Sequence, residues 1–159
     1  MEAFLKLFNQ YDIRVNFIPG FTVYFLLKMN GFDFMTNSEL EKLILCYVMG
    51  IIVSRLGSIL VEYSCKKIGC IKFEPYKLYI AASEKNGRIE VLSETNNLYR
   101  SMVAVFLVDL LYLLSVCDIE MGKLAIPVAG VILFLMSYVK QTKYISKNIV
   151  NTIKKENNR

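Results

Sequence analysis

Residues 43–64, LILCYVMGIIVSRLGSILVEYS, form an apolar run long enough to cross a lipid bilayer, with an arginine near its middle. A helix rises about 1.5 Å per residue, so roughly 20 residues cover a hydrocarbon core about 30 Å thick. Arg55 therefore either disqualifies the segment as a span or has surroundings in the bilayer that make its charge tolerable.

The remainder of the chain favours the second alternative. Further apolar segments lie at about 15–32, 99–117 and 122–139, and 55% of the 159 residues are hydrophobic against 21% charged. A soluble domain of this length has too few amphipathic elements to surround four such helices. The expectation is an all-α fold: a four-helix transmembrane bundle forming a single membrane domain over residues 1–159. Its spans are placed at about 15–32, 43–64, 99–117 and 122–139. The opening MEAFLKLFNQYDIR mixes charges of both signs and lacks an apolar core with a cleavage site, so no signal peptide is expected there. Phe4, Leu5, Leu7, Phe8 and Tyr11 suit either a short interfacial amphipathic turn or a frayed terminus.

Charge sets the expected orientation. The connection GFDFMTNSELEK and the turn holding Asp118, Glu120 and Lys123 are net negative, whereas residues 63–100 and the tail from Lys140 onward are rich in Lys and Arg. Basic connections stay in the cytoplasm, which gives both termini inside and a bacterial inner-membrane location. The formal charge of +5 then needs no nucleic acid: the basic tail, 140–159, can lie against anionic lipid, and no stacking platform or recognition motif accompanies it. The cytoplasmic loop, 65–98, is too long to be featureless. EPYKLYIAASEKNG reads as a short helix closed by Asn86 and Gly87, and SETNNLYR supplies N-cap residues for a third helix that starts in the cytoplasm.

Four ionisable residues fall within or at the edges of the second and third spans. On antiparallel helices Arg55 and Asp109 are expected at matching mid-depth, and Glu62 and Arg100 at the inner interface. Charges in the bilayer centre are costly and seldom face lipid, so two intramembrane pairs, Arg55 with Asp109 and Glu62 with Arg100, are expected to clamp the helices together. Arg55 and Glu62, seven apart, share one face of an α-helix. Gly50, Ser54, Gly57 and Ser58 supply the small side chains that let helix backbones approach.

Several chemistries lack their usual residues. The chain has no histidine, the commonest acid–base group and zinc ligand. Cys65 and Cys70 lack paired CxxC spacing, while Cys46 and Cys117 fit either a periplasmic bridge or buried small apolar residues. No phosphate loop or dinucleotide fingerprint is present, and no catalytic residue, metal or cofactor is expected.

The segments NFIPGF, SRLGSILVE, IKFEPY and VLSETNNLYRS together resemble a family of small uncharacterised bacterial multi-pass membrane proteins. That resemblance carries a sequence pattern and no site residue. The overall design also resembles small membrane accessories of bacterial anti-phage defence systems, which implies a membrane protein acting as effector or partner of a cytosolic sensor. The leading expectation is thus a homo-oligomer in the phospholipid bilayer that alters permeability or relays a signal from a cytosolic protein. In that scheme Arg55 and Asp109 hold the closed packing or line a constriction, Glu62 and Arg100 couple helix to loop, and Glu94, Asn96 and Asn97 in SETNNLYR receive the partner. A structural or assembly subunit without conduction, and a small ion or solute transporter, remain alternatives.

Overall fold

The computed structural model describes residues 10–35, 38–116 and 121–157. The opening residues Phe4, Leu5, Leu7 and Phe8 lie outside these, as do Cys117, Asp118 and Glu120.

The described residues fold into five helices. Helix α1 (10–29) begins with Gln10–Asp12, widens through a π-turn at Ile13–Phe17 and continues as Ile18–Met29. Helix α2 (Glu39–Ile68) contains a second π-helical stretch, Gly57–Glu62. Helix α3 (Tyr76–Lys85) is short, α4 (Arg88–Ser115) is long, and α5 (Ala125–Asn157) follows a 3-10 turn at Met121–Leu124.

Local chemistry accounts for the ends of α2. Ser38 is extended, its Oγ accepts the Glu41 backbone N–H at 3.1 Å, and the Glu41 carboxylate accepts the Ser38 N–H at 3.3 Å. This capping box satisfies amides that the first helical turn would otherwise leave open. At the other end Gly69 has a φ of 79°, a left-handed geometry that only glycine reaches without strain. Between α3 and α4 the closure differs from the expected glycine cap. Gly87 is right-handed, and the Asn86 Oδ1 accepts the Arg88 N–H at 3.2 Å, starting the next helix rather than ending the last.

The four-span bundle is not what the chain forms. Among the described residues, three helices are long and apolar enough to cross a membrane: Glu39–Ile68, Arg88–Ser115 and the stretch Met121–Lys155, which takes in most of α5. Helix α1 fails as a fourth because its mainly apolar α-helical part, Ile18–Met29, is 12 residues and rises about 18 Å, well short of the hydrocarbon core. The turns before it carry Asp12, Arg14 and Asn16. It lies against α2 and α4 as a shorter, partly polar helix.

Two backbones meet where side chains vanish. A Cβ added at Gly20 would collide with the Cys46 carbonyl, and one at Gly50 with the backbone of Asn16, so α1 and α2 touch main chain to main chain. Helix α4 is the central element: 44% of its most apolar stretch is buried, against 28% in α2 and 17% in α5. Around it, Val23, Leu27, Val53, Met102 and Val105 form one core layer, and Val61, Cys65, Val103 and Tyr138 a second. Beyond the second layer Ala82 of α3, Ile89 of α4, and Ile145 and Ile149 of α5 form a third. Helix α5 continues unbroken through the basic tail, with one face buried against α3 and α4 and the other exposed. Within the expected loop 65–98, α3 forms where EPYKLYIAASEKNG reads as helical, α2 reaches Ile68, and α4 starts at Arg88, ahead of its apolar stretch.

A polar cavity at the basic end as candidate functional site

The end of the molecule that holds α3, the 69–75 connection and the lysine-bearing half of α5 encloses a cavity of about 380 Å³. Membrane helices supply part of its wall, through Glu62 of α2 and Arg100 of α4. Further wall comes from Phe73, Glu74, Tyr76 and Tyr79 of the connection and α3, from Asn96 and Asn97 of α4, and from Thr142 and Ser146 of α5.

A hydrogen-bonded network organises this wall. The Arg100 Nη1 donates to the Glu62 Oε2, and the Lys66 Nζ donates to the other Glu62 oxygen at 2.7 Å while sitting 4.7 Å above the Phe73 ring. The Arg100 and Glu62 side chains are only 14% and 19% exposed, so the charges are held by each other rather than by water. Across the cavity the Ser146 hydroxyl donates to Glu74. The Asn96 Nδ2 donates to the Thr142 Oγ1 at 3.1 Å, and that hydroxyl donates in turn to the Tyr138 carbonyl at 2.9 Å. Tyr138 is fully buried beside Glu62 and Arg100. Among the described residues, neither its hydroxyl nor the Arg100 Nε meets a hydrogen-bond partner of good geometry.

The structure brings Glu62 and Arg100 together and does not bring Arg55 to Asp109. Asp109 is 1% exposed, and its Oδ1 accepts from the Asn30 Nδ2 at 2.7 Å, under the aromatic cluster of Tyr24, Phe32, Phe34 and Tyr112. Arg55 is exposed on the outer face of α2, in a stripe with Ile51, Ile52 and Ile59. Two physical reasons separate them. Gly57 packs on the Arg100 backbone, where an added Cβ would sit only 2.9 Å from its carbonyl oxygen, so Arg55 is level with about residue 102 and Asp109 lies about 10 Å further outward. Second, the π-turn at Gly57–Glu62 advances less per residue than an α-turn, a lag of roughly 100° over the stretch. The seven-residue spacing therefore no longer keeps Arg55 and Glu62 on one face.

The other expected site residues are dispersed. Gly50 is buried against α1 and Gly57 against α4, while Ser54 and Ser58 are half-buried. Glu94, Asn96 and Asn97 belong to a helix rather than a loop. Glu94 pairs with Arg14 at 3.6 Å, Asn96 is buried on Thr142, and Asn97 faces the cavity. Asn30, Thr142, Ser146 and Tyr138 were not singled out from sequence. Thr142 and Ser146 sit inside the basic tail, where only their spacing of four, continuing from Tyr138, hints at a buried face.

No protein-family model, curated protein or solved structure matches the chain. The protein is a multi-pass helical membrane protein.

Proposed function

We propose that the protein is a membrane relay: an occupant of the cavity at the basic end biases the Glu62–Arg100 pair and thereby the packing of the membrane helices. One observation carries this reading. The same cavity is walled by groups on the spanning helices, Glu62 and Arg100, and by groups outside the apolar stretches, Glu74, Tyr76 and Tyr79, so a molecule bound there touches both.

The density of Lys and Arg at this end favours a cytoplasmic placement, with both Gln10 and Asn157 on that side, in a bacterial inner membrane. Arg14 beside Glu94 and α3 against the far half of α5 are consistent with it. The output is a change in permeability or in contact between copies. The interior of one chain is filled by Val23, Val53, Val105 and Tyr138, so any conducting path would run between copies in an oligomer. In the anti-phage setting that the design resembles, the occupant is a segment of a cytosolic sensor protein.

A Trp at Asn97 puts a bulky ring into the cavity while leaving the Glu62 and Arg100 side chains themselves unsubstituted, and hydrogen exchange of the full chain in lipid discs reads the result. Relay predicts altered protection that extends from residues 93–100 to the outer half of α4 around Asp109. A change confined to the cavity lining removes the relay. Dye and potassium flux from liposomes holding wild type or N97W separates the outputs: a difference in flux supports permeability, and tight liposomes in both cases leave contact between copies.

A further inference from the structure

The outward face of α5, opposite the cavity, carries a second constellation that the relay does not use. Lys140, Lys143 and Lys147 follow Met136 at spacings of four, three and four, so all four residues lie on one stripe of the helix. Tyr138, Thr142, Ile145 and Ile149 fall on the opposite side and are buried. The three lysines are exposed, and among the described residues none has a carboxylate partner.

Two grooves meet at this stripe. The first, about 600 Å³, is lined by Lys140, Lys143 and Lys147 together with Tyr99, Gln141 and Tyr144. The second, about 460 Å³, shares Lys140 and Lys143 and continues along Leu135, Met136 and Val139. Their order along the membrane is fixed by Tyr138, which packs on Glu62 and Arg100 at the inner edge of the spans. The apolar groove therefore extends into the hydrocarbon side and the lysine–tyrosine groove into the headgroup side.

That sequence of chemistries, apolar and then cationic with hydroxyl and amide donors, is complementary to one molecule class: a phosphate ester carrying an acyl chain. We propose that this face of α5 binds an anionic phospholipid of the adjoining leaflet. Its phosphate accepts hydrogen bonds from the ammonium groups of Lys140, Lys143 and Lys147, and its chain lies along Leu135, Met136 and Val139. Each juxtamembrane lysine strengthens such binding by about fivefold, so three together contribute on the order of 100-fold over a zwitterionic lipid.

Native mass spectrometry of the detergent-solubilised full chain, supplied with equimolar phosphatidylglycerol and phosphatidylcholine, tests the assignment. Wild type is expected to retain phosphatidylglycerol. K140Q/K143Q/K147Q is expected to lose the preference by on the order of 100-fold, and K154Q/K155Q, further along the same helix, is expected to keep it. M136S, which shortens the apolar groove at an exposed position, weakens retention while leaving the lysines in place. Should the triple variant not stay monodisperse, K143Q alone gives about a fivefold loss. Unchanged preference in the lysine variants, or an equal loss in K154Q/K155Q, overturns the site. Displacement of the lipid by millimolar inorganic phosphate also overturns it, since a free anion would then be the occupant.

Discussion

At the residue scale the ionisable groups separate into three environments that a hydropathy plot does not distinguish. Glu62 and Arg100 hold each other in a largely buried network. Replacing either with Gln is expected to cost about 2–3 kcal/mol in unfolding from detergent micelles, and the double replacement less than the sum, with a coupling of about 1–3 kcal/mol. Arg55 and Asp109 have separate surroundings, so R55Q and D109N are expected to add, with coupling below about 0.5 kcal/mol. A double-mutant cycle with significant rescue at that second pair would contradict the described packing. Arg55 lies about 10 Å from the level of Glu62, and a side chain of its length at an exposed position has the reach to snorkel toward the headgroups. The presence of both pairs' residues was legible in the sequence. Their partners were not, because pairing depends on the rotational phase of a helix and on which neighbour offers a closer donor, here Asn30 for Asp109.

At the element scale, a widened turn and two close approaches set the geometry. The π-stretch Gly57–Glu62 turns Glu62 toward α4, and such stretches are often found at functional sites. Deleting Ile59, which is exposed within it, removes about the 100° by which the stretch lags, so the α-helical period returns with Glu62 still facing Arg100. In the deletion background E62Q is therefore expected to lower the melting temperature about as much as it does in the wild type, because the pair survives. Gly50 shows a sharper constraint. A methyl there has to displace the Asn16 backbone, so G50A is expected to destabilise the α1–α2 contact by about 1–3 kcal/mol, seen as faster hydrogen exchange through residues 13–29. Between α4 and α5, T142V keeps the shape and leaves Asn96 buried without its partner, at a cost of about 1–3 kcal/mol. Small residues in the second helix are readable from sequence as a packing signal, yet the division of Gly50 toward α1 and Gly57 toward α4 is a product of assembly.

At the scale of the whole molecule, two membrane-length helices, α2 and α5, and a shorter α1 surround the third, α4, and a small third core layer extends the bundle past the basic end. Cys70 is exposed in the 69–75 connection. In a version whose other cysteines are replaced, a membrane-impermeant maleimide is expected to label Cys70 from the cytoplasmic face in inside-out vesicles and not in intact spheroplasts. Labelling in spheroplasts would invert the orientation and move the cavity to the other side of the membrane.

The sequence by itself determined the class of structure: apolar runs of membrane length, start signals such as Ser38 with Glu41, and a basic end opposite an acidic one. These are sums over neighbouring residues, and no distant contact can change them. Tertiary structure alone decided that Gly50 meets α1 and Gly57 meets α4, that Glu62 meets Arg100 while Arg55 faces outward, and that Thr142 and Ser146 join Asn96 and Glu74 around a cavity. Those outcomes depend on the phase of each helix about its axis. A single widened turn resets that phase for every residue beyond it, and one missing Cβ decides which neighbouring backbone comes close.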